Sequence, residues 1–379
     1  MTFWIPFNRA QLPPAALEYL QQALAGGQLS GDGPFTRRCH ALLEQLIGAP
    51  KVLLTTSCTH ALELAALLLE IQPGDEVIVP AYTFVSTVNA FVLRGARPVF
   101  CDIRPDTLNL DERLLPGLLS PRTRAIVPVH YAGVGCAMDA IGASADAHGI
   151  AVVEDNAHGL FGSYRGRPLG SFGALATLSF HETKNITCGE GGALIVNDPA
   201  LIARAEILRE KGTDRSRFFR GEIDRYRWVD LGSSWLPSDL LAALLLGQLE
   251  QHAAIQAGRA AIWQRYAAEL ADWAAANGVR LPTVPADCAQ AYHMFYLLLP
   301  TPAARTALIA HLRAAGILSV FHYLPLHLSP MGQQYGGRPG DCPVTEDVSE
   351  RLLRLPFSNS LTAAEQAEVI AAVQAVQFG

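Results

Sequence analysis

Three short stretches carry the residues whose types and spacing could do chemistry. "LSFHETKNITCGEGGALIV", residues 178–196, brings one lysine, Lys184, past the end of an apolar run among small residues. A lysine kept for solubility belongs on a solvated helix face. One that is partly desolvated loses its proton more easily, and its neutral amine can condense with a carbonyl. "IAVVEDNAH", residues 150–158, delivers Glu154 and Asp155 to the carboxyl end of a strand-like run. A carboxylate partly buried there needs a cationic partner, and a protonated pyridine nitrogen would serve. "TTSCTHALEL", residues 55–64, sets Ser57 and Thr59 at the start of a helical pattern, where free N–H groups and hydroxyls favour an anion. Each stretch has an ordinary explanation as well: a helix cap, a strand-end turn, an exposed lysine. Together they fall in the chain order that would hold pyridoxal 5′-phosphate at three points, with Lys184 as the amine that bonds it.

Such groups must be positioned by strands that end where they sit. "CTHALELAALLLEI" has helical periodicity, and "EVIVP" after a Pro-Gly turn reads as a strand. "TFVSTVNAFVLRG" then reads as a helix and "RPVFCDI" as a strand. "TRAIVPVHYAG" reads as a strand, "MDAIGASADAHG" as a helix stopped at Gly149, and "IAVVEDNA" as the next strand. This rhythm predicts an α/β sheet with mostly parallel strands, whose ligands gather beyond the carboxyl ends. A helical stretch from Ser238 towards Ala275 breaks the pattern. "AYHMFYLLLP", "ARTALIAHLRAAG", "LSVFHYLPLH" and a last helix from Thr362 follow, predicting a smaller α+β domain. The expected division is an N-terminal segment 1–20, a large α/β domain 21–240, and a linking helix with the small domain over 241–379. Arg204–Asp230 mixes both charge signs and reads as a solvated or interface segment.

Composition narrows the function classes. At 379 residues and half hydrophobic, the chain can build its cores without staples. A net charge of -6 argues against a nucleic-acid surface. "MTFWIPFNRA" has no basic leader followed by an apolar stretch, so no signal peptide is expected. The apolar run from Leu240 to Leu246 is too short to cross a bilayer. Seven scattered cysteines without a C-x-x-C pair fit reduced thiols in the cytoplasm, and their spacing fits no zinc site.

Further stretches sharpen the picture. "IPFNR", "GDGPFTRRC", "PAYTFVSTVNAF", "IVPVHYAGV", "VVEDNAHG", "SFHETKN", "GEGG", "FHYLPLH" and "RLLRLPF" run along nearly the whole chain. On these motifs the sequence resembles the sugar-nucleotide aminotransferases of the DegT/DnrJ/StrS group. The combination of "TFVST", "VVEDNAH" and "SFHETKN" at these separations is specific for that group. The stretch "REKGTDRSRFFRGEIDRYRWVDLGSSW" is similar to the branch of dTDP-4-amino-4,6-dideoxygalactose transaminases.

The resemblance implies an aspartate-aminotransferase-like fold (the type I fold of pyridoxal phosphate enzymes), with a mostly parallel seven-stranded sheet in the large domain. It implies that Lys184 bonds the cofactor and later shuttles a proton, and that Asp155 pairs with the pyridine nitrogen. Phe84 would stack on the ring, and His158, where many relatives have Gln, would lie beside the ring hydroxyl. Cys58 through its backbone, Thr59 and Ser179 would hold the phosphate. Arg220, Tyr323 and His327 are the candidates near the sugar nucleotide, each with a structural alternative in an ion pair or in packing. The implied partners are L-glutamate, 2-oxoglutarate, a dTDP-linked 4-keto-6-deoxy sugar and a second copy of the chain, with the active sites shared. The implied product is dTDP-4-amino-4,6-dideoxy-D-galactose for cell-surface polysaccharide.

Two positions depart from the group's pattern. Ser234 in "GSSWLPSD" stands where many relatives supply an Asn across the subunit boundary, with Trp235 or Arg220 as other replacements. Cys58 stands where relatives often have Gly. Three rivals remain. A sugar dehydratase of the same fold would replace the lysine with histidine. A nucleotide-binding oxidoreductase would need a glycine-rich first turn, where this chain has "SCTH". A non-enzymatic carrier of the cofactor would have little use for the lysine.

Overall fold

Short apolar runs bounded by turn residues set the sheet. In the computed structural model, which describes residues 4–378, seven strands form one sheet. They are β1 (Lys51–Thr55), β2 (Glu76–Pro80), β3 (Arg97–Cys101), β4 (Thr123–Ile126), β5 (Ala151–Asp155), β6 (Leu175–Ser179) and β7 (Gly192–Val196). The spatial order is β1-β7-β6-β5-β4-β2-β3. β7 runs antiparallel to both neighbours, and the remaining pairings are parallel. This is the mostly parallel seven-stranded sheet expected of the type I fold. The first three residues of the expected N-terminal segment and Gly379 lie outside the described residues.

Strands buried on both faces need apolar residues on both, which is why these runs do not alternate with polar residues. Val52, Leu54, Ala176, Leu178, Ala193 and Ile195 face one way and pack beneath helices α1 (Pro14–Gly26) and α2 (Pro34–Ile47) and a later helix. Leu53, Val77, Val79, Val153, Leu175 and Leu194 face the other way. They pack beneath α3 (Cys58–Leu68) and α4 (Val85–Val92). The helix expected before Gly149 is α5 (Met138–Asp146), and Gly149 takes φ 64 three residues beyond its end.

Two expectations are corrected. "TRAIVPVHYAG" is not one strand. β4 stops at Ile126, Val129 makes a single parallel bridge to Asp155, and Tyr131–Gly133 turn in a 3-10 helix. Pro128, which has no N–H for a ladder, lies in the gap. The long helix from Ser238 is also divided, after a helix α6 (Ile202–Arg209), into α7 (Asp239–Leu249) and α8 (His252–Glu269), followed by a short helix Ala271–Ala276.

α7 packs against α1 and α2 in the large unit's core, through Ala242, Ala243, Leu245, Leu246 and Leu249. α7 thus shares the core of the helices that cover the sheet. The small unit has its own core of Tyr266, Trp273, Phe295, Leu308, Leu353 and Val369. It joins α8, α9 (Pro302–Ala314), α10 (Ala363–Gln374) and the antiparallel pair β8 (Tyr296–Leu298) and β9 (Leu352–Arg354). Ile5 also packs in this core and bridges Ile317, so the N-terminal segment belongs partly to the far end of the chain. Among the described residues no helix is long and apolar enough to cross a membrane.

Candidate active site

The carboxyl ends of β1, β2, β5 and β6 open onto one cavity of about 730 Å³, closed on the other side by the small unit. After β1 the chain turns directly into α3. Ser57 is the helix cap, its Oγ accepting from the His60 N–H at 3.1 Å. That is the ordinary capping role for Ser57. Thr59 lies inside the first turn, and its hydroxyl is 2.7 Å from Ser86 Oγ at the start of α4. Two helix N-termini thus meet at one point, which favours an anion there more strongly than one would alone. Gly192 on β7 sits against this turn. A Cβ added there would overlap the Ser57 carbonyl carbon and the Cys58 nitrogen.

β5 delivers two buried carboxylates that point in opposite directions because strand side chains alternate. Glu154 is fully enclosed. It accepts from the N–H groups of Gly170 and Gly173 at 2.8 Å and of Phe172 at 2.6 Å, and it pairs with His130 Nε2 at 2.9 Å. Its lone pairs are used inside the fold. Asp155 faces the cavity. Its Oδ2 accepts from the Thr87 hydroxyl at 2.7 Å and its Oδ1 from the Ala157 N–H at 3.1 Å. Burial raises its pKa, and these two donors counter the rise only in part.

Lys184 follows β6 on a loop that is tied down on both sides. The Lys184 N–H donates to the His181 carbonyl at 2.9 Å. The neighbouring Asn185 amide donates to Ala291 O at 2.6 Å, and its Oδ1 is 2.9 Å from His293 Nδ1 in the small unit. Burial lowers the ammonium from its ordinary 10.5 to about 8, with the nearby Arg354 charge adding to the fall and the Asp155 carboxylate opposing it. A neutral amine is therefore accessible near physiological pH.

The wall opposite is aromatic. His158 stacks on His293 with ring centroids 4.2 Å apart, and His322 stacks on Tyr323 at 3.6 Å. Tyr323 OH lies 3.4 Å from His158 Nε2, and Tyr131 OH shares a 2.7 Å hydrogen bond with His322 Nδ1. Burial holds all three imidazoles well below their usual pKa, and the Lys184 charge adds to the effect, so they are neutral. His158 Nδ1 is buried with no hydrogen-bond partner among the described residues.

Lys184, Asp155, His158 and Phe84 all border this cavity. So do Cys58, Thr59, Ser179 and Tyr323. Two residues chosen from sequence do not. His327 has no exposed surface, and its Nε2 is bound to Glu346 at 2.9 Å. It does not border the cavity. Arg220 lies on the surface, with Nη1 on Glu206 at 2.8 Å and Nε on Glu222 at 2.6 Å. Its structural alternative describes its place in this chain. Of the residues weighed for the missing Asn, Ser234 is exposed and pairs with Glu210, while Trp235 is buried 6.4 Å from the His60 ring. The sequence reading missed Ser86, His293, His322 and Arg354 as cavity-lining groups and Thr87 as the donor to Asp155. Ser86 and Thr87 carried a usable signal, since "FVST" opens a helix as "SCTH" does.

A partly desolvated amine, a buried carboxylate with no ion pair among the described residues, and an anion cradle across one cavity can together hold a flat, phosphorylated, cationic aldehyde. Comparison with known proteins agrees. The model of the DegT/DnrJ/EryC1/StrS aminotransferase family matches residues 12–374. The spore coat polysaccharide biosynthesis protein SpsC of Bacillus subtilis is 33% identical, over 99% of this chain and 98% of that protein. The solved aminotransferase TlmJ from Streptoalloteichus hindustanus is 31% identical with a TM-score of 0.88, covering 99% of this chain and 98% of its own. A putative sugar aminotransferase of Streptococcus pneumoniae, Spr1654, solved in its PMP form, is 27% identical with a TM-score of 0.90 and 98% coverage of both chains. The chain belongs to the DegT/DnrJ/EryC1/StrS aminotransferase family.

Proposed function

We propose that this cavity binds pyridoxal 5′-phosphate and that the protein transfers the amino group of L-glutamate to a nucleotide-linked 4-keto-6-deoxy sugar. The observation that carries the reading is Asp155, a buried carboxylate facing the cavity with hydrogen-bond donors but, among the described residues, no cation within ion-pair distance. A pyridinium nitrogen satisfies it, and the charge would reverse the upward push that burial exerts. The bound cofactor supplies an electron sink for the pair of electrons left when the donor's α-proton departs. Lys184 would hold the cofactor through its Nζ and would move that proton at the donor's α-carbon. Thr59, Ser179 and the Cys58 N–H, with Ser86, take the phosphate. Phe84 would cover one ring face, and His158, whose Nδ1 has no partner among the described residues, would neighbour the ring hydroxyl.

The narrower substrate we infer is dTDP-4-keto-6-deoxy-D-glucose, giving dTDP-4-amino-4,6-dideoxy-D-galactose for cell-surface polysaccharide. The resemblance of residues 209–235 supports it, as does the likeness to a polysaccharide-synthesis protein. Tyr323, at the cavity wall, is the residue we retain for the sugar. A homodimer fits the exposed Phe219, Tyr226, Trp228 and Leu231, which gather in the 209–235 stretch. Seven free thiols fit a reducing compartment.

The test is a panel of dTDP- and UDP-linked 4-keto and 3-keto sugars with L-glutamate, and the product's stereochemistry by NMR. The reading expects the loaded protein's yellow absorbance to bleach with glutamate, and one ketosugar to restore it with an axial C4 amine in the product. An equatorial or C3 amine would overturn the substrate but leave the transaminase. No bleaching would overturn both. Sedimentation at assay concentration checks the dimer, and a fully active monomer would refute it.

A further inference from the structure

Arg354 lines the cavity, Arg259 holds the backbone of the cavity residue His293, and the two are satisfied in different ways. Arg259 is spent on the fold. Its Nε donates to Tyr292 O at 2.8 Å, Nη1 to Asn359 Oδ1 at 2.9 Å and Nη2 to His293 O at 2.6 Å. Arg354 has one acceptor for all its donors: Nε and Nη2 both reach the Phe321 carbonyl, at 3.3 and 3.2 Å. A guanidinium carries five N–H donors, so Nη1 and one N–H of Nη2 are left for another partner. No carboxylate of the described residues takes them, and the groups that act on Arg354 most are the Tyr131, Tyr323 and Tyr82 phenols. Burial without a counter-charge lowers its pKa, as a cation awaiting an anion would show.

Its position is fixed before any ligand arrives. Arg354 ends β9, paired with Tyr296 on one side. On the other side it exchanges backbone hydrogen bonds with Val320, at 2.8 and 3.2 Å. The guanidinium carbon lies 4.7 Å over the Phe7 ring, and both residues border the cavity. The Arg354 charge is felt by Lys184.

Two anions enter a reaction of this class. The donor's α-carboxylate is one bond from the carbon whose proton Lys184 moves. The diphosphate of a sugar nucleotide is separated from the ketone carbon by the width of a hexose. An arginine on the same wall of the cavity as His322 and Tyr323, close enough to act on Lys184, suits the first. We propose that Arg354 receives the α-carboxylate of the amino donor and so holds its α-carbon beside Lys184, an inference that rests on the transaminase reading above.

The experiment compares wild type, Arg354→Lys and Arg354→Gln, each loaded with cofactor. For Arg354→Gln, kcat/KM in the glutamate half-reaction should fall about 10- to 100-fold, the worth of a charge-assisted pair. Arg354→Lys should recover part of the loss. The sugar half-reaction, begun from the aminated cofactor, should change little. 1-Phenylethylamine, a donor with no carboxylate, should react equally with wild type and Arg354→Gln. Calorimetry with glutarate, an unreactive dicarboxylate, should show binding weakened in Arg354→Gln. A loss confined to the sugar half-reaction assigns Arg354 to the diphosphate, and an equal loss with phenylethylamine assigns it to the fold. Either overturns the proposal. If glutamate fails to bleach wild type, the transaminase reading falls and glutarate decides alone: weakened binding in Arg354→Gln upholds a carboxylate site, and equal binding refutes it.

Discussion

Replacing Lys184 by methionine should make the cofactor-free protein more stable. The side chains are close in length, so the change chiefly removes a charge. Lys184 falls from 10.5 to about 8 on folding because its surroundings disfavour the ammonium. At about 1.4 kcal/mol per pH unit, holding it protonated at pH 7 costs the fold about 3 kcal/mol. That figure is a ceiling, since the amine borders the cavity and its water screens the charge. The sign follows from linkage. Below pH 8 both folded and unfolded chains carry the proton, and the full cost is present. Between pH 8 and 10.5 the folded chain has released a proton that the unfolded chain keeps, so wild-type stability rises with pH. Above 10.5 both are neutral and the cost is gone. Urea denaturation of both cofactor-free proteins, at equal concentration and at pH 7, 8, 9 and 10, measures this. Lys184→Met should exceed wild type at pH 7, and the gap should close towards pH 10. A less stable variant, or a gap unchanged with pH, would refute the argument and make Lys184 an ordinary packed or solvated side chain.

Other perturbations separate chemistry from scaffold. Asp155→Asn should keep the Ala157 N–H on its amide oxygen, turn the Thr87 hydroxyl from donor to acceptor, and bind cofactor within about tenfold of wild type. It should lose about 10²-fold or more in turnover, because an amide cannot keep the pyridine nitrogen protonated; near-normal kcat would make Asp155 a strand-end cap. Gly192→Ala places a methyl against the Ser57–Cys58 backbone, so it should cost about 1–3 kcal/mol in denaturation and weaken phosphate-dependent cofactor affinity. Unchanged affinity, measured by equilibrium dialysis, would show that the β7 contact does not shape the cradle. His327→Ala should lower stability by about 1–3 kcal/mol through the lost hydrogen bond to Glu346 and the emptied buried site, with sugar-nucleotide KM little changed. A selective rise in that KM without loss of stability would return His327 to the substrate.

What could be read from the chain depended on how local its cause was. β5 was legible because "AVVED" is a continuous apolar run with both carboxylates at its end, and a strand's alternation then forces Glu154 and Asp155 to opposite sides. Which of them faced the cavity was not local. It is settled by the N–H groups of Gly170, Phe172 and Gly173, which fold back over Glu154 from the next loop. The break in "TRAIVPVHYAG" was visible in Pro128, whose missing N–H should have ended the strand. The position of α7 was not visible, because a helix apolar on most faces says nothing about which unit it joins.

The anion cradle shows the same division. Ser57 could be read as a helix cap, but the cradle arises where Thr59 meets Ser86, 27 residues on, through the adjacent placement of two helix starts. The donor and sugar side lies furthest from local rules. Tyr323 reaches His158 across 165 residues, and Arg354 reaches the cavity only because β9 pairs with both β8 and Val320. Motif likeness placed His327 beside Tyr323 in "FHYLPLH", yet a four-residue step in a turn carried one into the cavity wall and buried the other against Glu346. Chemistry common to a whole reaction class is carried by residues at strand ends, where sequence patterns are strong. The groups proposed to select donor and sugar lie at the seam between the two units. There one side chain's direction depends on long-range pairing, and the decisive group, an arginine with unspent donors, has no pattern of its own in the chain.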